Sequence, residues 1–505
     1  MRVVQALLLV AVLSFAGVNG WPNPLPSSYR REFRKSTFDD DLPDQFFTQQ
    51  LDHFDSTVRD TWQQRFWLND AHHSAGGPEF LHVGTNDEEA AEAIANPDRP
   101  LVRWAAQFGA RLWSLEHRFW GRSRPLPDLS TENLRFLNAP QALADISAFI
   151  REKSAESAGK WVLFGGGWGG TLALWHRRQH PAETIGAVGS SAQMEARFDY
   201  FDFLRVAEDV FRNHSTACAE NIRAGFFQLH ALMDSADGRA QVDAAFGLAP
   251  PLAEIELTPV HLQNFYHVVA GLFLLPVQFN AVNSAPWNAG VGVAALCEIL
   301  ERPALNAVAR LVNVVQFVKR GFGEPPGAPL ENDFDAAMER FRNVSFDGDS
   351  AGDRAQVWQN CNEVGGVPAT TYNGIWGTDV PVNYYYSICE SIFGPQFTAD
   401  FVRAQMLKTT ERFGRARDFN ATNVVAPMGG GDPYRALRLA AANNPTVTPL
   451  LIDGAAFCAD TMPVNDTTDS AALKAARQLI GAKLAEWIDV AGMERRRTSV
   501  SIGRM

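Results

Sequence analysis

Six positions, Gly165 to Gly170, hold five glycines between the apolar run WVLF (161–164) and a helical pattern that opens at Thr171. Two kinds of chemistry use a strand, a tight glycine turn and a helix in that order. In the first, Gly165, Gly167 and Gly170 fit the dinucleotide fingerprint G-x-G-x-x-G, whose glycines let a pyrophosphate approach a helix N-terminus. That chemistry also needs an acidic residue for the ribose, and the next apolar run, IGAVG (185–189), ends instead in Ser190 and Ser191. In the second, the nucleophile elbow G-x-S-x-G, a serine on a strained turn projects its hydroxyl above a sheet. Gly165 and Gly169 frame such a turn, but its centre is Gly167, which has no nucleophilic atom.

Chain order tests the elbow independently, because a sheet of this kind places its acid after the nucleophile and its histidine last. Asp432, following the run NVVAPM (423–428), stands at the acid's place. The last histidine of the chain is His267, so no base follows Asp432. Thr171, Ser190 and Ser191 offer hydroxyls near the turn, and each would need a base within hydrogen-bond reach, His261 or His267 being the candidates. The plainer reading makes both histidines helix residues with satisfied nitrogens. Asp432 and Arg435, three residues apart, are spaced for a surface ion pair.

The elements that must position these residues alternate. Short apolar runs at 64–69, 79–84, 110–117, 161–164 and 185–189 are separated by helical patterns, which predicts an α/β sheet with crossover helices. From about 195 to 400 the strand patterns vanish and apolar residues recur at three and four spacing, as in an inserted helical domain. Strand patterns return at 423–428 and 448–454. A last helix is expected from about Ser470, capped by Asp469 or Ser470, with Leu473, Ala476, Ile480, Leu484 and Trp487 on one face. The expected boundaries are a signal peptide (1–20), an N-terminal arm (21–44), a hydrolase-type part (45–194), a helical cap (195–400), the second hydrolase part (401–492) and a basic tail (493–505).

With 57 acidic and 45 basic residues the chain carries a formal charge of −12, which argues against non-specific nucleic-acid binding. The apolar stretch Ala6–Val18, followed by Val18 and Gly20 before Trp21, reads as a cleaved secretory signal. No later segment reads as a membrane span, since the most apolar one, 265–279, is interrupted by His267 and Pro276. Asn-x-Ser/Thr acceptors begin at Asn213, Asn343, Asn420 and Asn465, which suits a secreted or lysosomal glycoprotein. The five cysteines show no zinc spacing, and the acidic loop at 347–353 lacks the later ligands of a calcium loop, so no metal and no cofactor is expected.

The stretches FFTQQLDHFD (46–55), LEHRFWGRSRP (115–125), DLSTENLRFLNAPQALAD (128–145), GAVGSSA (186–192), GGGDPYRAL (429–437) and FCADTMP (457–463), together with the elbow, resemble a family of serine exopeptidases. Prolylcarboxypeptidase, dipeptidyl peptidase II and thymus-specific serine protease typify it. The resemblance spans roughly residues 46–490 and implies an α/β-hydrolase fold with an inserted helical cap. It also implies an exopeptidase ancestry, with Gly167 where the family has its serine, Asp432 at the acid and Phe457 where the histidine belongs. GTNDEEA (84–90) replaces the family's oxyanion loop, which leaves the backbone N–H of Trp168 as the oxyanion-type donor. By similarity, Cys218 pairs with Cys297 and Cys361 with Cys389, and Cys458 stays free. The expectation is a pseudopeptidase whose cleft between hydrolase and cap binds a peptide or protein, or is an empty relic; a homodimer is compatible with it. An active exopeptidase with a displaced triad is the alternative.

Overall fold

The computed structural model describes residues 42–502 except 158, 281–289, 349, 373, 442 and 443, with side chains to Asp489. The expected signal peptide, most of the arm and the side chains of the basic tail lie outside the described residues. Eight strands form one sheet: β1 (Gln45–Gln50), β2 (Thr61–Asn69), β3 (Glu79–Val83), β4 (Arg111–Leu115), β5 (Trp161–Gly166), β6 (Gly186–Ser190), β7 (Val424–Gly429) and β8 (Val447–Ile452). Their order is β1-β2-β4-β3-β5-β6-β7-β8. Strand β2 runs antiparallel to β1 and β4, and the remaining pairs are parallel. This is the α/β-hydrolase arrangement.

Alternation along each strand divides the core between two faces, because successive side chains of a strand point to opposite sides. Phe66, Leu81, Trp113, Leu163 and Val424 pack on one face beneath α2 (Ala139–Ser154) and α3 (Trp168–Gln179). Their neighbours Trp67, Phe80, Leu112, Val162 and Val425 pack on the other, beneath α1 (Pro100–Phe108) and the last helix, α14 (Ala471–Ile502). Leu473, Ala476, Ile480, Leu484 and Trp487 of α14 are all buried, and Ser470 caps the helix through Leu473 N (3.1 Å). The helix runs unbroken to Ile502, so the expected basic tail is its continuation and not a separate segment.

Between β6 and β7 the cap is built from α4 (Asp202–His214), α5 (Thr216–Met233), α6 (Ala236–Phe246), α7 (Pro259–Gln278), α8 (Val293–Leu300), α9 (Ala307–Gly321), α10 (Phe334–Arg342), α11 (Ala351–Gln359) and α12 (Val382–Phe393). Two corrections apply. Strands do not vanish there, since Arg197–Asp199 pairs with Gly365–Val367 and Leu248–Ala249 with Leu330–Glu331. The expected boundary at 400 falls inside one helix, α13 (Ala399–Phe413), whose Phe413 stacks on Trp175 of α3 at 3.9 Å.

Helix α7 also departs from expectation. Pro276 does not interrupt it, because a proline in the last turn removes one i→i−4 bond and Phe279 N still reaches Leu275 O. The helix is long and apolar enough to cross a membrane, and 72% of its most apolar window is buried inside the protein. Thr258 and His261 form a capping box at its start, and His267 Nδ1 meets Tyr385 Oη (3.3 Å).

Both expected disulfides are present, Cys218–Cys297 joining α5 to α8 and Cys361–Cys389 joining the chain after α11 to α12. Cys458 is free and buried. Replacing either pair by alanines is expected to lower unfolding stability by about 2–5 kcal/mol. The Cys218–Cys297 pair, with a separation of 79 residues against 28, should cost the more. Urea unfolding of the two double variants checks both the size and the order.

Candidate active site

The elbow is set by close main-chain contacts. A Cβ on Gly165 would meet the Gly169 carbonyl group at 2.3 Å, and one on Gly169 would meet Val83 O at 2.4 Å. Helix α3 therefore sits directly on β5 and the end of β3 only because these positions carry no side chain. Gly167 joins strand to helix at φ 54° and ψ −120°, in the region that favours glycine. Its N–H donates to Ser190 O (2.9 Å), and its carbonyl accepts from Thr171 N (3.0 Å), the start of the helical ladder.

Gly167, Trp168 and Phe457 line one cavity with Tyr434, and Asp432 lies two residues before that tyrosine. A Cβ on Gly167 would lie 2.9 Å from Phe457 Cζ, so the phenyl ring fills the space above the turn. That ring is buried and packs against Tyr434 and Phe279, with centroids at 5.9 and 6.2 Å. Asp432 is fully buried, and its Oδ1 accepts from Tyr434 N (2.8 Å). Its Oδ2 has no hydrogen-bond partner among the described residues. The expected ion pair with Arg435 does not form, because Asp432 is buried while Arg435 turns to Asp209 (2.6 Å) and Gly430 O. Burial pushes the Asp432 carboxyl up to about 7, against the pull of the nearby Ser191 hydroxyl and the Tyr434 N–H.

Trp168 directs its indole away from the turn, donating from Nε1 to His117 Nε2 (3.0 Å). His117 Nδ1 in turn donates to Arg118 O (2.9 Å), and burial holds this imidazole down to about 4, so it is neutral. On the oxyanion side the Thr85 N–H is already committed to Glu89 Oε1 (3.3 Å). Burial pushes Glu89 up to about 8. The cavity left at the elbow, bordered by Thr85, Asn86, Gly167, Trp168, Tyr434 and Phe457, measures about 40 Å³. That is far below the roughly 300–1,000 Å³ of a ligand pocket.

The hydroxyls near the turn have other partners. Thr171 Oγ1 donates to the carbonyl oxygens of Gly167 and Gln193, and Ser190 Oγ donates to Asp460. Ser191 Oγ accepts from Cys458 N (2.8 Å). His261 and His267 stay in the cap, His261 facing Asp335 (3.3 Å). Sequence reasoning missed His117, Asp460 and the Ser191–Cys458 link, in which both residues hold a φ of 50°. The only signal for them is their place inside the stretches LEHRFWGRSRP, GAVGSSA and FCADTMP. No group of three or more potential metal ligands occurs among the described residues.

The model of the serine carboxypeptidase S28 family matches residues 49–480. The chain belongs to that family. A candidate serine protease of Caenorhabditis elegans is 32% identical over 89% of each chain. The mouse thymus-specific serine protease is 27% identical over 87% of this chain and 86% of its own. A lysosomal Pro-X carboxypeptidase from Pongo abelii is 24% identical over 88% of each. Among solved structures, a proline iminopeptidase of Mycobacterium smegmatis aligns at 11% identity with a TM-score of 0.33, over 85% of this chain and 97% of that one.

Two outcomes follow from the geometry. Gly167→Ala should cost about 1–3 kcal/mol through backbone strain, and the cost should shrink in a Phe457→Ala background, where the ring contact is gone. Denaturant unfolding of the four proteins in a double-mutant cycle measures this. The second concerns pH. Because the folded pKa of Asp432 is raised, the folded state binds the extra proton between about 4 and about 7. Its contribution to stability is full below the unfolded pKa and is lost as pH rises through 7. Asp432→Asn should therefore flatten the fall in melting temperature between pH 5 and 8, read against the native protein at each pH.

Proposed function

We propose that this chain is a non-catalytic S28 homologue of the secretory pathway or lysosome that binds a peptide or protein ligand and does not cleave it. The observation that carries the reading is the contact between Gly167 and Phe457: the position for a nucleophile holds no side-chain atom, and the position for a base holds a ring that fills the gap. Loss of the serine or the histidine of a triad removes on the order of 10⁶ in rate, leaving what binding and oxyanion donors supply. Here the Thr85 N–H is committed as well, which weakens the second donor such a site would use.

The displaced-triad alternative finds no supporting geometry, since Thr171, Ser190 and Ser191 are hydrogen-bonded to main-chain groups and carboxylates. Two observations support passage through the secretory pathway. The two disulfides suit an oxidising compartment, and all four Asn-x-Ser/Thr asparagines are exposed and open to glycosylation. Relatives named as lysosomal point the same way. The elbow cavity is too small to admit a peptide residue, so ligand contact falls to the wider surface between hydrolase and cap.

The purified protein should not react with a fluorophosphonate probe, which needs an activated serine, and should not hydrolyse Ala-Pro or Lys-Ala reporters from acidic to neutral pH. Stoichiometric labelling at any Ser or Thr would sink this reading. The Gly167→Ser/Phe457→His variant should stay far below a competent exopeptidase, because the Thr85 N–H remains bound to Glu89.

A further inference from the structure

A second opening near the elbow lies on the other side of the 360–365 segment. It is a groove of about 640 Å³ between the loop after β1, the start of α2, the turn Asn360–Val364 and helix α13. We propose that this groove is a binding site for an acidic peptide segment, held by Arg412 and Lys408 on α13 and by Arg135, with Glu363 at its base. The inference goes beyond the reading of the elbow and does not depend on it.

Charge accounting supports an anionic ligand. Arg412 and Lys408 lie four residues apart on one exposed side of α13, and neither takes part in an ion pair or hydrogen bond among the described residues. Arg135 lies over the Phe136 ring at 4.7 Å, without a carboxylate. The groove's aspartates keep their charge and are anchored by neighbouring donors. Asp52 accepts from Phe54 N, Asp55 N and Gln141, and Asp55 accepts from the N–H and hydroxyl of Thr57. Glu363 aside, three cations outnumber the two carboxylates Asp52 and Asp55 along the groove, in a protein whose formal charge is −12.

Glu363 supplies the second, independent observation. It borders the groove while being 94% buried, and its Oε1 accepts from Ala139 N (2.7 Å) at the start of α2. Its Oε2 has no partner among the described residues. Burial pushes this carboxyl up to about 8, with the Ala139 N–H and Arg412 opposing, so near neutral pH it carries a proton to donate to an acceptor. A ligand carboxylate satisfies both that donor and Arg412, and the exposed Phe54 offers apolar contact at the rim. A peptide segment fits better than a compact ion, because the cations lie on two separate elements, α13 and the turn before α2.

Fluorescence anisotropy of the full-length protein with labelled tetraglutamate, tetraglutamine and tetralysine tests this. The expected result is saturable binding of tetraglutamate alone, weakened roughly tenfold or more in Arg412→Glu and in Lys408→Glu, with unchanged melting temperatures because both side chains are exposed. Arg223→Glu, an exposed cation on α5, should bind as the native protein does. Raising the pH past 8 should weaken binding in the native protein as Glu363 ionises beside the ligand. Glu363→Gln keeps the Ala139 bond and a donor, and should lose that pH dependence; the charged groups that face the groove with it are Arg135, Lys408, Arg412, Asp52 and Asp55. Equal binding of all three peptides, no saturation at millimolar peptide, or an equal loss in Arg223→Glu would overturn the proposal.

Discussion

Helix α3 lies so close to the sheet that Gly165 and Gly169 have no room for a Cβ, and the geometry around the elbow follows from that closeness. Strand β5 must become a helix within a few residues while the end of β3 and the end of β6 pass within main-chain contact. The chain meets this demand at Gly167 with a positive φ, and locks it through the bonds to Ser190 O and Thr171 N. None of these terms involves a side chain at 167. The turn can therefore keep its form without a serine, and the space above it becomes available to Phe457.

A second layer of constraint is electrostatic, and it occupies the stretch LEHRFWGRSRP. Buried Glu116 accepts from Arg65 (2.5 Å), from Arg122 N and Ser123 N, and from Glu89 N. Arg118 pairs with Asp145 (2.6 Å) and reaches the Leu51 and Phe136 carbonyls. Buried pairs of this kind return little net stability, since desolvation offsets the attraction, but each leaves an uncompensated charge if one partner is removed. They therefore fix where loops lie. The loop after β3 is held by Glu116, the loop after β4 by Arg118, and His117 between them carries the Trp168 indole. Residues that look chemical by type thus serve position.

This explains what the sequence discloses. Every strand of the large sheet except β1 is legible as an apolar run, most clearly β3, β5, β6 and β7, which are parallel to their neighbours and buried on both faces. Strand β1 reads QFFTQQ and lies at the sheet edge, where alternate residues face water and no continuous run forms. The buried face of α14 is legible from its spacing. The end of helix α7 is not, since Pro276 reads as a stop unless its place in the last turn is known. At the site, Gly167 is legible from the glycine turn and Asp432 from chain order, while Phe457, 290 residues from the turn's centre, is legible only through resemblance. The hydrogen bonds of Ser191, Cys458 and Asp460 are contacts between segments that no local pattern records.

The segment 360–365 links the two openings. Asn360, Val364 and Gly365 border the elbow cavity, while Asn362 and Glu363 border the groove, so one turn of chain is the wall between them. It is wound as a π-helix, a rare form that is frequent at functional sites. Three attachments hold it: the Cys361–Cys389 bond to α12, the pairing of Gly365–Val367 with Arg197–Asp199, and the Glu363 bond to Ala139 N. With Phe457 closing one side of this wall, the wider opening lies on the other, where Arg135, Lys408 and Arg412 outnumber Asp52 and Asp55.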